Sequence, residues 1–307
     1  MTSEISARAV AFVAGHKPAA IELGRSLADL TSDPDAFAGT LGRGFAALAD
    51  PEYLEGEHRI APGLGRTYGV RWPLSAAVDR GFREATRRER PAGYLELADR
   101  LFDEPELESR WFAFGLLDRL LPSDPERAWQ LLRRAAREAG DWITVDALAH
   151  PYGRGILLER FRWAELEQLT WSQSEWERRL VGSTIATLPF VDQRAGRQPD
   201  VAVHGLGLIG TLIGDAAANV QKALAWALRS LVLVDPEAVL AFVEREAARA
   251  VSANDGHRAW VLRDVLVKLP ATRADAIRAQ LGPIRRRAGA PATSQAALES
   301  QVSALAV

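Results

Sequence analysis

Trp142 and Asp146, in the stretch DWITVD (141–146), stand four residues apart. On a helix that spacing makes them surface neighbours, about 5–6 Å apart at Cβ. A carboxylate and the negative face of an indole attract the same thing, a positive charge. The pair can therefore serve as a small site for a cation, or for positive charge that develops during a reaction. The same spacing suits a core tryptophan with an acid at its solvent edge, and at this point both readings stand.

Few other side chains compete for a chemical role. The chain has no cysteine, which removes disulfides, thiolate metal sites and a cysteine nucleophile. Its five histidines, His16, His58, His150, His204 and His257, lie far apart, and no serine sits in a nucleophile motif, so triad chemistry is not indicated. No cluster of metal-ligating residues stands out, and neither a metal nor a cofactor is expected. GLGLIG (205–210) has the spacing of a dinucleotide-binding loop. The residues before it are too few for a strand and no strand–helix–strand unit surrounds it, so it reads as a glycine-tolerant helix or loop.

A second set of candidates recurs along the chain. WERR (Trp176–Arg179), WALR (Trp226–Arg229) and WVLR (Trp260–Arg263) each place a tryptophan and an arginine three apart, one helical turn. Their spacing approaches the ~40–47 residues of HEAT-type helix pairs, which stack into a curved solenoid whose inner helices line a concave surface. Each pair taken singly also fits a core tryptophan with a helix-end arginine.

The elements that must carry these residues are helical almost throughout. Ala128, Leu131, Leu132 and Ala135 form one apolar stripe, and Val239, Leu240, Val243 and Ala247 another. Ser123 with Pro125 and Asp235 with Pro236 open helices; Gly140 closes one, and Pro91, Pro105, Pro122, Pro151 and Pro189 punctuate the rest. These signals predict about twelve helices joined by short turns. VDQRAGRQPDVAVHG (191–205) reads as an inserted loop.

At 307 residues, 48% hydrophobic and 25% charged, the chain can bury one large core or two modest ones. No apolar run approaches the ~20 residues of a membrane span and no leader pattern opens the sequence, so a cytoplasmic protein without membrane contact is expected. The net charge of −2 gives a polyanion no global attraction. Residues 95–109 carry six acids against one arginine, and residues 257–288 carry eight Lys/Arg against two acids; solvated helix faces account for both runs.

Taken in order, YGVRWPL (68–74), LELADRLFDEPELESRWFAFGLL (95–117), DWITVD (141–146), WSQSEWERRLVGSTI (171–185) and NVQKALAWALRSLVLVDPEAVLAFV (219–243) resemble the AlkD family of HEAT-like DNA alkylation-repair glycosylases. The resemblance spans roughly residues 66–270. It implies an all-α, right-handed superhelical solenoid of HEAT-like repeats, with an N-terminal helical extension over 1–65, a repair domain over 66–290 and a flexible tail over 291–307. It makes Asp146 the catalytic carboxylate, Trp142 and Trp226 the aromatic walls around the lesion's deoxyribose, and Arg179 a contact to a backbone phosphate. Arg178, Lys222, Arg229 and Arg263 are further candidates for that basic stripe, and Trp142, Asp146, Arg179 and Trp226 are expected to face one concave groove.

The resemblance further implies a bacterial monomer, nucleoid-associated when bound to DNA, that excises cationic N3- or N7-alkylated purines from duplex DNA without a metal. One carboxylate suffices for such a reaction, because a purine that already carries positive charge leaves neutral. Ile143 stands where the resemblance implies a polar or acidic residue. A non-catalytic HEAT-like scaffold, binding DNA structures or proteins through the same groove, is the alternative from another class.

Overall fold

The computed structural model describes residues 2–305, and they are all-α apart from one isolated antiparallel bridge between Ala49 and Val70. The chain divides into two compact units, residues 1–147 and 148–307, with the boundary inside one helix. The first unit contains α1 (Thr2–Ser26), α2 (Pro34–Ala47), α3 (Pro51–Ile60), α4 (Trp72–Ala85), α5 (Tyr94–Phe102), α6 (Leu107–Leu120), α7 (Pro125–Glu138) and the start of α8 (Trp142–Leu158). The second continues α8 and adds α9 (Trp163–Gln168), α10 (Glu175–Val191), α11 (Pro199–Leu212), α12 (Ala218–Leu231), α13 (Pro236–Ser252), α14 (Gly256–Val265), α15 (Ala271–Leu281) and α16 (Gln295–Leu305).

Asp-Pro dipeptides start α2, α3, α7 and α13. The proline enters at the first helical position, where its missing N–H costs nothing. In α2, α3 and α13 the aspartate carboxylate accepts a backbone N–H of the first turn, from Ala36, Glu52 and Ala238 respectively, filling orphan donors that every helix start leaves open.

In the first unit α1 packs along α4, and α5 and α6 pack on each other and on α2. The helix pair α1/α4 comes so close that a Cβ at Gly81 would collide with the Ile21 carbonyl. The core is aromatic. Phe82 meets Phe37, Tyr94 and Phe112 with ring centroids 5.7, 5.7 and 5.8 Å apart, within the favoured range for edge and tilted pairs. The helices on either side of position 65 share this core, with α1 a packing partner of α4. Residue 1 lies outside the described residues.

The second unit is built in rows. α10 packs on α12 and α12 on α14, while α11 packs on α13 and α13 on α15. That next-but-one pairing is the contact pattern of stacked helix pairs. The stripe Val239, Leu240, Val243 and Ala247 is buried. The other stripe, on α7 of the first unit, buries Ala128, Leu132 and Ala135 together with Trp129, while Leu131 is half-buried.

Several expectations are corrected. There are sixteen α-helices among the described residues rather than about twelve, because short helices such as α3, α5 and α9 lie below the length that apolar periodicity resolves. Pro151 and Pro189 do not end helices; α8 and α10 run through them. A proline inside a helix costs about 3 kcal/mol, and in α10 the buried stretch Arg179–Pro189 supplies the packing that offsets it. Of the 191–205 segment only residues 192–198 form the loop, since α10 ends at Val191 and α11 begins at Pro199. GLGLIG lies within α11, and Gly205 is there for packing: a Cβ would stand 3.0 Å from Ile185 and 3.1 Å from Leu231.

The segment expected to be a flexible tail, 291–307, contains α16, which packs on α11. Ahead of it the Thr293 N–H donates to the Gly214 carbonyl at 2.9 Å and Ser294 is buried. Residues 306 and 307 lie outside the described residues.

Candidate functional site

The site in the first unit is the opening turn of α8. Asp141 stands just before it, buried, and both of its carboxylate oxygens are used: Oδ1 accepts the Thr144 N–H at 2.8 Å and Oδ2 accepts the Thr144 hydroxyl at 2.7 Å. The Thr144 oxygen in turn accepts the indole N–H of Trp111, on α6, at 2.9 Å. Trp111, Trp142 and Ile143 pack together on a small apolar cluster of Ala61, Leu64 and Leu107. That contact explains Ile143: its side chain covers apolar surface, where a polar residue would have lost its water. Trp142 and Asp146 are both half-buried, one turn apart on this helix.

Next to this turn is a set of buried acids that the sequence reading did not single out. Glu57, on α3, is 4% exposed; its Oε2 has no hydrogen-bond partner, and burial pushes it up to about 7. The Glu108 and Asp141 carboxylates raise it further, against a hydrogen bond from Tyr53 that pulls it down. Burial likewise moves the Tyr53 phenol well above its ordinary range, with Glu57 adding to the effect. Glu108, expected on a solvated face, is buried and accepts the backbone N–H groups of Tyr68, Gly69 and Val70 at 3.0, 2.8 and 3.1 Å. Burial holds it above the usual carboxylate range while those three donors pull it back.

The YGVRWPL segment is therefore held in place from two sides, by Glu108 and by a buried ion pair of Arg71 with Asp50 at 2.6 Å. Arg71 also lies over the Tyr53 ring, 5.0 Å from its centroid. No periodicity marks Glu57 or Glu108 as buried acids. Asp141 did carry a signal, as an aspartate immediately before a helical stretch.

The remaining candidates belong to the second unit, and all three Trp-x-x-Arg motifs fall on helices of one row, α10, α12 and α14. They do so at unequal heights: at the start of α10, near the end of α12 and in the middle of α14. Trp176, Trp226 and Trp260 are half-buried. The arginines bond mainly to the protein itself. Arg179 is 5% exposed and donates to the Asn219 carbonyl, at the start of α12, at 2.7 Å. Arg178 pairs with Asp215 at 2.7 Å and donates to the Ser172 and Gln173 carbonyls. Arg229 pairs with Asp264. Arg263 closes the end of α15 by donating to the Leu281 and Ile284 carbonyls at 2.6 and 2.5 Å. Lys222 is exposed.

Among the described residues no helix is long and apolar enough to cross a membrane, and no group of three or more His, Cys, Asp or Glu side chains could hold a metal ion. No individual curated protein matched the chain. Residues 41–265, which run from α2 through α14 and include every residue of the α8 turn, match the family described as DNA alkylation repair enzyme, and the chain belongs to that family.

Proposed function

We propose that this protein is a DNA glycosylase that hydrolyses the N-glycosidic bond of cationic N3- and N7-alkylated purines in duplex DNA. The observation that carries the reading is the α8 turn, in which Trp142 and Asp146 stand one turn apart, half-buried, on a helix start held by Asp141. Alkylation at N3 or N7 makes the purine positively charged. When the bond from C1′ to the base breaks, the bonding pair leaves with the base, which departs neutral and needs no acid. The positive charge passes to the sugar as an oxocarbenium ion. The Asp146 carboxylate and the negative face of Trp142 stabilise that charge, by contributions that grow as the bond breaks. Water then adds to C1′ and releases a proton, with Asp146 orienting it. Sugar-chain hydrolases, whose leaving group is not charged, generally need a second carboxylate as acid.

In this reading Trp226 is a second aromatic wall for the sugar, and Arg179, Arg178, Lys222, Arg229 and Arg263 serve the DNA backbone, directly or by shaping the helices that meet it. A monomer on duplex DNA is the working unit. Arg178, Arg179, Arg229 and Arg263 all bond to the protein's own groups, which leaves less positive charge for a phosphate backbone than a basic stripe would supply and favours the competing reading, a non-catalytic scaffold of the same fold that binds DNA structures or proteins. Release of 7-methylguanine from methylated duplex DNA decides between them. The enzyme reading expects release by the wild type and a fall of ~10²–10³ in rate for Asp146→Asn, the usual cost of removing a major electrostatic contribution. Duplex binding without base release supports the binder.

A further inference from the structure

The first turn of α8 is held more elaborately than a helix start requires. An N-cap ordinarily accepts one backbone N–H, yet Asp141 takes two donors from the same residue, the Thr144 N–H and the Thr144 hydroxyl. The direction of every bond follows from donor chemistry: an indole nitrogen only donates, a carboxylate only accepts, and a hydroxyl does both. Protons therefore point from Trp111 to Thr144 and from Thr144 to Asp141.

Trp111 is tied to the turn a second time through a shared support, because it packs against Ala61, Leu64 and Leu107, the cluster on which Trp142 and Ile143 also pack. At about 100° of rotation per residue, Thr144 lies on the far side of the helix from the stripe shared by Trp142 and Asp146. The relay fastens the back of the turn and leaves the stripe in front of it half-exposed.

We infer that Trp111, Thr144 and Asp141 are positioning residues that fix the rotation and height of Trp142 and Asp146 through one hydrogen-bonded chain. This rests on the proposed action of Trp142 and Asp146 on the sugar. A cap that merely stabilised the helix would need neither the indole donor nor the hydroxyl in the middle.

The test uses the full chain and three variants, Trp111→Phe, Thr144→Val and Thr144→Ser. Trp111→Phe keeps an aromatic ring on the cluster and removes only the donor, so it is the variant least exposed to misfolding. Single-turnover release of 7-methylguanine from methylated duplex, duplex Kd and amide hydrogen exchange over residues 142–147 are measured together. Trp111→Phe and Thr144→Val should each slow release about tenfold, the rate equivalent of one hydrogen bond, with Kd unchanged and faster exchange confined to the α8 turn. Thr144→Ser, which keeps the hydroxyl, should restore both. In an Asp146→Asn background Trp111→Phe should cost clearly less than tenfold, since the part of its effect that runs through that carboxylate is gone and only the part through Trp142 is left.

An unchanged rate and unchanged exchange in Trp111→Phe would overturn the inference, as would an equal fall in rate with and without the Asp146 carboxylate. Should the wild type release no base, the glycosylase reading falls. The exchange data then still decide whether the relay holds the turn: faster exchange in Thr144→Val with recovery in Thr144→Ser supports it, and no change refutes it.

Discussion

Glu57→Gln isolates the cost of a buried charge in the first unit. Glu57 is 4% exposed, has one carboxylate oxygen without a partner, and is pushed by burial from the ordinary 4.5 up to about 7. At about 1.4 kcal/mol for each tenfold step in proton affinity, that rise sets the penalty on the ionised form at roughly 3 kcal/mol. Between the two values the folded chain holds a proton that the unfolded chain has released. This group's contribution to stability is therefore complete below about pH 4.5, falls as pH rises to about 7 and is flat above. Glutamine keeps the shape and cannot ionise. Its amide oxygen can still accept the Tyr53 hydroxyl, and its NH2 meets the negative potential of Glu108 and Asp141. The variant should match the wild type near pH 4.5 and exceed it by up to about 3 kcal/mol near pH 8. Urea unfolding of the full chain at the two pH values, with hydrogen exchange of α3 identifying the transition that exposes Glu57, measures the difference. A gain that is the same at both pH values, or a loss near pH 8, would refute the argument that this carboxyl is protonated by burial.

Two further outcomes are expected. Lys222→Ala should weaken duplex binding across sequences and lower the salt slope by roughly one, whereas Arg179→Ala should act first on stability, because it removes the hydrogen bond that ties α10 to the Asn219 carbonyl at the start of α12, worth about 0.5–1.5 kcal/mol; an Arg179→Ala protein with wild-type urea stability and a reduced salt slope would assign that arginine to phosphate instead. Chromatography of bases released from parallel duplexes should show 3-methyladenine and 7-methylguanine freed and uracil and hypoxanthine retained, since the proposed mechanism gives the departing base no proton and so expels only a base that is already cationic; efficient uracil release would sink the charge-driven departure.

The helical class was legible because apolar periodicity and Asp-Pro starts are local, and each is a direct consequence of backbone geometry. Internal prolines were misread for the opposite reason. Whether Pro189 breaks a helix depends on how well the surrounding residues pack, and the burial of Arg179–Pro189 is a tertiary fact that no local pattern carries. The spacing of Trp142 and Asp146 was legible and the turn beneath them was not. Trp111 and Thr144 stand 33 residues apart, and their hydrogen bond exists only once α6 and α8 pack. Glu108 was misjudged because six acids in one run look like solvent exposure, yet three convergent backbone N–H groups make a buried carboxylate tolerable.

The arginines show the same limit with a functional consequence. A Trp-x-x-Arg motif read along a helix suggests a basic stripe, but a guanidinium carries five donors, and a helical protein offers it uncapped carbonyls and nearby carboxylates at every helix end. Arg179 and Arg263 take carbonyls, and Arg178 and Arg229 take carboxylates. An arginine spent in this way brings two helices into register and adds little free positive charge. On the proposed function, positive potential for the DNA backbone then has to come from exposed side chains such as Lys222. The same economy bears on Trp142. An aromatic ring that is to face a transient cation must be held still and must also be reachable, and a ring half-buried on Ala61, Leu64 and Leu107 meets both demands. On the proposed function, the core reading and the catalytic reading of the Trp142–Asp146 spacing are two aspects of one placement, and the loss of either the anchor or the carboxylate should be felt in the same rate.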